Sequence, residues 1–433
     1  MKRYQTTFFS IIICLLATLS VAQKPKVTVW VEDSDTVQCS IDLLSMYNTD
    51  SSIGEVEFVA QANQWDVTRT ALAGGSGPDI VITPGPSFGF ELAKAGLLLP
   101  LDDYTSSMGW DKDMASWALS LGSVEGKLYS IPVELETMIL YYNKTLFEQN
   151  GWTAPKTIDD LMTLAQTIQD AGIMPFSGSN SEWRPANEWY ASAFFNAVSG
   201  PQAVYEALSG TRPWTDAAFV DAIGALDALQ QKGWISGELE NYYTITTDEY
   251  WNAFGNGEAA MVIEGSWAMG NIGSYFGDAA GNSNDWDWVP FPSTSGEDTF
   301  AIGVGSTYSI NASSKVPDAA ADYLSFFFSP ETQASLTETC GQAPAPVRIT
   351  SDMLSELDPR RAKLYDTISK ASDAGNYGYL TWTFWGPKSD VYIYEEIEKV
   401  WGGDITVEDY LSGLNDIASQ ELAAGETPPL PTR

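Results

Sequence analysis

Residues Gly126 to Leu161 read GKLYSIPVELETMILYYNKTLFEQNGWTAPKTIDDL. Inside this stretch Leu135 to Tyr142 is an apolar, extended run. Glu134 and Glu136 stand at its mouth, and a period of two places both carboxylates on one face. Two acids beside a buried strand need partners. The run stops at Asn143, a residue that caps helices. A second helix is announced by Pro155, Thr157, Asp159 and Asp160, an N-cap hydroxyl followed by acids that suit the helix dipole. Strand, short helix, turn and helix predict a lobe of α/β type, with the strand emerging from a cleft.

Outward from that stretch the same alternation continues. Lys26 to Val31 reads as a strand, Val37 to Tyr47 as a helix, Val56 to Ala60 as a strand, Asp66 to Ala73 as a helix closed by Gly74 and Gly75, and Asp79 to Thr83 as a third strand, which together predict a mainly parallel sheet. The loop Glu32-Asp33-Ser34-Asp35 follows the carboxyl end of the first strand, the side on which open α/β sheets meet ligands. Beyond the central stretch, Ala186 to Val198, Gln202 to Leu208, Ala217 to Lys232 and Asp248 to Phe254 read as helices. Ala259 to Glu264 reads as a strand, Asp285 to Pro292 as extended chain, Gly303 to Ile310 as a strand and Ala319 to Phe328 as a helix. Asp352 to Asn376 and Glu395 to Leu422 close the chain in helices before a Pro-rich tail. No internal repeat is present.

Composition limits the chemistry. The chain of 433 residues has a formal charge of -35 and no histidine. That charge disfavours nucleic acid, anionic membranes and polyanionic ligands, and the missing histidine excludes the usual triads and zinc sites, so neither metal nor cofactor is expected. The acids are spread along the chain, which reads as a solvated surface adapted to salt or to low pH. At the amino end Lys2 and Arg3, an apolar run from Phe8 to Val21 and the small residues Ser20-Val21-Ala22 predict a signal peptide over 1–22, with the mature chain starting at Gln23. The run is short for a membrane span, and Cys14 lies inside it rather than at the cleavage point. Export to the periplasm or exterior as a soluble, lipid-free protein follows.

Four separated segments resemble the extracellular solute-binding proteins of ATP-driven importers, in particular their carbohydrate-binding, maltodextrin-type branch. They are Gly77-Pro78-Asp79-Ile80-Val81 with Ala95 to Leu101; Tyr129, Pro132, Glu136 and Tyr142-Asn143-Lys144; Phe254 to Met261 with Glu264-Gly265-Ser266-Trp267; and Ile310 to Phe328 with Gly341 to Pro344. The resemblance implies a two-lobed periplasmic-binding-protein fold of type II, each lobe a mainly parallel sheet flanked by helices. It places 23–131 plus 291–347 in the first lobe and 132–290 plus 348–433 in the second, with crossings near Ile131, Pro290 and Val347 forming a hinge. It puts Cys39 and Cys340 in the first lobe, where they either form a disulfide or remain two buried small residues. It matches Glu136, Trp267 and Trp385 to sugar-contacting positions, and Trp183 to a stacking aromatic.

The aromatic content supports the same reading. Sixteen Trp, 20 Tyr and 18 Phe exceed what a core alone demands, and several stand beside acids or amides. A sugar ring has C–H faces and a rim of hydroxyls, so its site needs flat apolar plates with charged acceptors at their edge. Trp183 with Glu182, Arg184 and Asn187 forms one such cluster, Trp267 with Glu264 a second, and Trp382 and Trp385 with Lys388 and Asp390 a third. Trp65 beside Gln64 and Asp66 is a further candidate, as is Asp79, which can equally pair locally. Trp286 and Trp288 read as structural. The adjacent pairs Tyr141-Tyr142 and Tyr242-Tyr243 are disfavoured as iron ligands, and the sequons at Asn143 and Asn311 read as backbone caps.

The expected ligand set is therefore Glu32, Asp33, Trp65, Asp79, Glu136, Trp183, Glu264, Trp267, Trp382 and Trp385. The expected function is capture of a sugar by a monomer that delivers it to the membrane subunits of an importer, without catalysis. Two alternatives stand beside it. One is a secreted glycosidase using Glu134 and Glu136, since glycosidases hold two carboxyl groups across the scissile bond. The other is a binder of polyamine or peptide through the acidic loop.

Overall fold

The computed structural model describes residues 24–32, 35–347 and 357–430; the expected signal peptide and Asp33 lie outside the described residues. In chain order the strands are β1 (Lys26–Glu32), β2 (Glu55–Gln61), β3 (Ile80–Thr83), β4 (Ser123–Val124), β5 (Lys127–Leu128), β6 (Ser130–Pro132), β7 (Leu135–Asn143), β8 (Met174–Phe176), β9 (Ala259–Gly265), β10 (Trp286–Pro290), β11 (Phe300–Val304), β12 (Thr307–Ile310) and β13 (Tyr377–Tyr379). One sheet has the order β2-β1-β3-β12-β6 and the other β13-β11-β7-β9-β8, with β10 also on β7. Both are mixed. In the first, β1 runs parallel to β2 and β3, while β12 returns antiparallel to β3 and β6.

Local sequence accounts for these elements. In β1, Val27, Val29 and Val31 are buried while the termini are exposed, the alternation of a strand covered mainly on one face. β7 is buried along most of its length, as its unbroken apolar run requires. It ends where the Asn143 side chain accepts from the Leu146 amide at 3.0 Å and caps helix Lys144–Asn150. Thr157 and Asp160 form the reciprocal capping box that starts helix Ile158–Asp170. Val27, Val29, Ile80, Ile310, Tyr323 and Phe327 anchor the core of the first lobe. The larger core of the second lobe gathers Tyr141, Phe194, Trp214, Trp234, Met261 and Trp385.

The second passage between lobes departs from expectation. Gly303 to Ile310 reads as one strand, but it is two: β11 pairs with β7 and β13 in the second sheet, and β12 pairs with β3 and β6 in the first. Sheet membership thus moves this passage from Pro290 to Gly305-Ser306. Phe291 is buried in the second core, and Ser293 bridges to Thr157. The strands are apolar on both sides of the break, so hydrophobic pattern alone carries no mark of it.

Cys39 and Cys340 are bonded, tying helix Asp35–Leu44 to helix Pro330–Cys340. A bridge closing a loop of 301 residues restricts the unfolded chain and by that route contributes on the order of 2–4 kcal/mol.

Candidate ligand site

Elements from the second lobe converge where β7 begins. Glu136 opens β7, Glu264 closes β9, and Trp267 follows on the turn Ser266–Gly270. Helix Ala186–Phe194 brings Glu188 and Trp189, the short helix Thr381–Phe384 brings Trp382, and helix Thr247–Gly255 brings Tyr250.

The rings meet as a corner. Trp267 lies 5.8 Å from Trp382 at 70° and 5.1 Å from Trp189 at 59°. Each of the two central indoles donates to a buried carboxylate: Trp382 Nε1 to Glu136 Oε2 at 2.9 Å, and Trp267 Nε1 to Glu264 Oε1 at 2.9 Å. Tyr250 donates its hydroxyl to the other oxygen of Glu264 at 3.2 Å. With the N–H edges held, ring rotation is restricted and the apolar faces are fixed in direction. Gly265 is required for close approach, since a Cβ there would fall 2.0 Å from the Trp267 ring. The turn itself is pinned by the Thr137 amide, which donates to Ser266 Oγ at 3.2 Å.

The acids beneath the rings are held towards their neutral forms. Burial pushes the Glu264 carboxyl up to about 8, against the indole and phenol bonds that favour its charge. Burial also raises Glu136, with the charge of Glu134 adding to it. Glu188, which accepts from Thr381 Oγ1 at 3.1 Å, is raised by burial and then by Asp390. No acid of this set forms an ion pair among the described residues.

The first lobe reaches the corner through helix Pro86–Lys94. Ser87 Oγ bonds the carbonyls of Trp382 at 3.3 Å and Trp385 at 3.2 Å. Phe88, next on that helix, meets Trp65 edge-on at 5.4 Å, and Trp65 packs against the small first-lobe cluster of Leu72, Val81 and Leu92. Glu32 is exposed at the carboxyl end of β1.

Other expected ligands sit elsewhere. Trp385 is 1% exposed and points into the second core, 5.2 Å from Trp214 and stacked on Phe195 at 6.3 Å. With Trp214, Asn415 and Leu422 it lines a separate pocket of about 280 Å³. Asp79 is engaged within the first lobe: it accepts from the Thr28 amide at 2.9 Å, from Thr28 Oγ1 at 2.8 Å and from Ser314 Oγ at 2.6 Å. It precedes β3, at the end remote from the cleft, so local pairing is its role. Trp183 is 48% exposed on the loop that leads into the helix of Trp189. That loop is braced by Glu182 accepting from the Thr247 amide and by Arg184 pairing with Glu398. Tyr141 and Tyr242 are interior, their hydroxyls bonded to Gly265 and Asn187.

The structure adds Trp189, Tyr250 and Glu188 to the site. The chain does carry a signal for them, because Glu188-Trp189 and Glu249-Tyr250 repeat the pairing of acid with aromatic that singles out Trp267 and Trp183.

Comparison with known proteins gives the family and the fold. The model of a family described as bacterial extracellular solute-binding protein matches residues 54–334. A probable sugar-binding periplasmic protein of Brucella suis is 25% identical over 82% of each chain. The maltodextrin-binding protein MdxE of Bacillus subtilis is 24% identical over 68% of each chain. Among solved structures, a chitin oligosaccharide binding protein superposes with a TM-score of 0.76 at 22% identity, over 92% of this chain and 99% of its own.

Proposed function

Because the chain belongs to the bacterial extracellular solute-binding proteins, we propose that it captures a sugar or oligosaccharide between its lobes and delivers it to the permease of an ABC importer. The observation that carries this reading is the corner of Trp267 and Trp382, whose N–H edges are both tied to buried carboxylates. Such a corner offers C–H-binding faces to a ring, while Trp189 and Trp183 extend the apolar surface along the border. Glu136 and Glu264 orient the plates from below, and Glu32 stands at the rim of the first lobe.

Capture is passive. A ligand that contacts both lobes binds the closed form more tightly than the open one and shifts the population towards it. Micromolar affinity corresponds to about -8 kcal/mol, within reach of two or three stacked rings with hydrogen-bonded rims after closure is subtracted. The family is one of binding proteins, and Glu134 and Glu136 suit that role better than hydrolysis, being neighbours on one strand with Glu136 committed to Trp382. The heavy negative charge supports an uncharged ligand over a polyanion and argues against nucleic acid. The protein acts as an exported monomer in the periplasm or outside the cell.

Relatives with names referring to maltodextrin, α-glucosides, xylose or arabinose define the panel to test. Titrating the protein with maltotriose, chitotriose, xylotriose and the free pentoses should quench or shift tryptophan fluorescence with one of them and raise its melting temperature. A flat response to every carbohydrate, with stabilisation by spermidine or a short peptide, would transfer the function to those ligands.

A further inference from the structure

Glu134 and Glu136 lie on the first strand to pass between the lobes, where all three passages meet. The Val133 amide donates to Ser306 at 2.8 Å, the Gly305 amide to Glu134 at 3.0 Å, and the Leu135 amide to Pro344 at 2.8 Å. The strand carrying both acids is thus bonded to the other two passages at hinge level. Both side chains turn to one face, and Gly305 supplies their room. A Cβ on Gly305 would lie 2.3 Å from Glu136 Oε1 and 3.0 Å from Glu134 Oε2. Both carboxyls thus border the same small space, where two negative charges would repel unless a proton were held between them. The second oxygen of Glu136 accepts from Trp382.

Among the described residues neither acid of this pair forms an ion pair. Tyr308 of β12 faces Glu134, Tyr365 of helix Pro359–Asp373 faces both acids, and Glu188 faces Glu136 from helix Ala186–Phe194. Arg361, beside Tyr365, gives its guanidinium to the carbonyls of Thr337 at 2.7 Å and Met269 at 2.8 Å.

We propose that Glu134 and Glu136 are positioning residues that share one proton at the hinge, and that loss of this proton opens the lobes, releases Trp382 and weakens ligand retention. With the proton in place one negative charge is spread over the pair, and the strand of Gly305 closes over it. When the proton leaves to water, two negative charges face each other in a space sized for one. Glu134 is already partly exposed, so it is Glu136 that gains water when the Gly305 strand parts from the pair, and that movement bends the hinge. Because Glu136 also holds the Trp382 indole, the same event loosens the ring corner. Ligand is held on the acid side of the transition and let go on the alkaline side.

The ligand part of this inference rests on the carbohydrate reading of the corner; the hinge part does not. The test uses the whole mature chain at constant ionic strength. Small-angle X-ray scattering and tryptophan fluorescence are followed from about pH 5 to about pH 9, a range that brackets raised carboxyls. Wild type should show a larger radius of gyration and altered fluorescence on the alkaline side of a single midpoint. Glu134→Gln and Glu136→Gln should each remove that transition or move it by about one pH unit or more. Trp382→Phe should keep the scattering transition and lose most of the fluorescence change, so one variant that does not fold leaves the others decisive.

Titration with maltotriose, xylotriose and chitotriose on both sides of the midpoint should show about tenfold weaker binding at alkaline pH for any that binds. A scattering profile without a transition overturns the proposal. So does a transition that survives in Glu134→Gln but vanishes in Glu188→Gln. If no sugar binds while the hinge transition follows Glu134, the proton device stands and the carbohydrate reading falls. Sugar binding of equal strength at both ends of the range leaves that reading intact and sinks the device.

Discussion

Trp382 and Trp385 stand three residues apart and serve different ends. Trp382 gives its N–H to Glu136 and meets Trp267 at the lobe border, while Trp385 is buried against Trp214 and Phe195 with its Nε1 unpartnered. The corner around Trp267 and the core around Trp214 thus use the same residue type under opposite rules. In the core, area removed from water carries the stability, and a single missing hydrogen bond is tolerated. In the corner, the indoles are wired to buried acids: Trp382 is itself only 6% exposed, while Trp267 is half-buried and keeps part of its surface open. The partner of the indole nitrogen, more than the number of aromatics, separates Trp382 from Trp385.

The largest effect is expected on the core side. Trp385→Ala should lower stability by about 3–5 kcal/mol, as large-to-small changes at buried aromatics do. Chemical denaturation measures it, and sugar affinity of the folded fraction should change far less. An affinity loss exceeding the stability loss would erase the distinction. On the corner side the balance reverses: Trp267→Ala should weaken sugar binding about 30-fold, near 2 kcal/mol, with a smaller loss of stability because the ring is only half-buried. Calorimetric titration beside a melting curve separates the two.

How much of this contrast the chain discloses depends on distance along it. Trp267 and Glu264 are three residues apart, and their pairing is visible as an acid beside a ring. Trp382 and Glu136 are separated by 246 positions, and no local pattern joins them. Trp385 reads like Trp382 from composition, but the short helix Thr381–Phe384 ends between them and sends the next ring inward. The run from Leu135, the Asn143 cap and the Thr157 capping box were all readable, because their causes are local. The break at Gly305 was not, because the strands on both sides are apolar and differ only in which sheet they pair with.

The wiring of the corner also predicts a dependence on pH. The Glu264 carboxyl is raised from its ordinary 4.5 to about 8, so between these values the folded protein holds a proton that the unfolded chain has lost. Stability contributed by the neutral acid is complete below the unfolded value and declines as pH rises through the window, at up to about 1.4 kcal/mol per unit. Between about pH 6 and about pH 7 wild type should therefore lose about that much more than Glu264→Gln in urea denaturation. Parallel profiles for the two proteins would show that Glu264 is not held neutral.

Tyr250→Phe is the finest probe, because it removes one hydroxyl and leaves the ring in place. Tyr250 donates to Glu264 Oε2 and so favours the charged carboxylate; without it the Glu264 value should rise further. The net loss of stability at neutral pH should be about 1 kcal/mol, typical of one hydrogen bond, and should grow on the alkaline side, where the carboxylate most needs a donor. A double-mutant cycle with Glu264→Gln isolates that dependence: in the Gln background the cost of Tyr250→Phe should no longer change with pH. A cost that still climbs with pH there would mean the hydroxyl serves another group, and the corner would then be held by packing, as the core is.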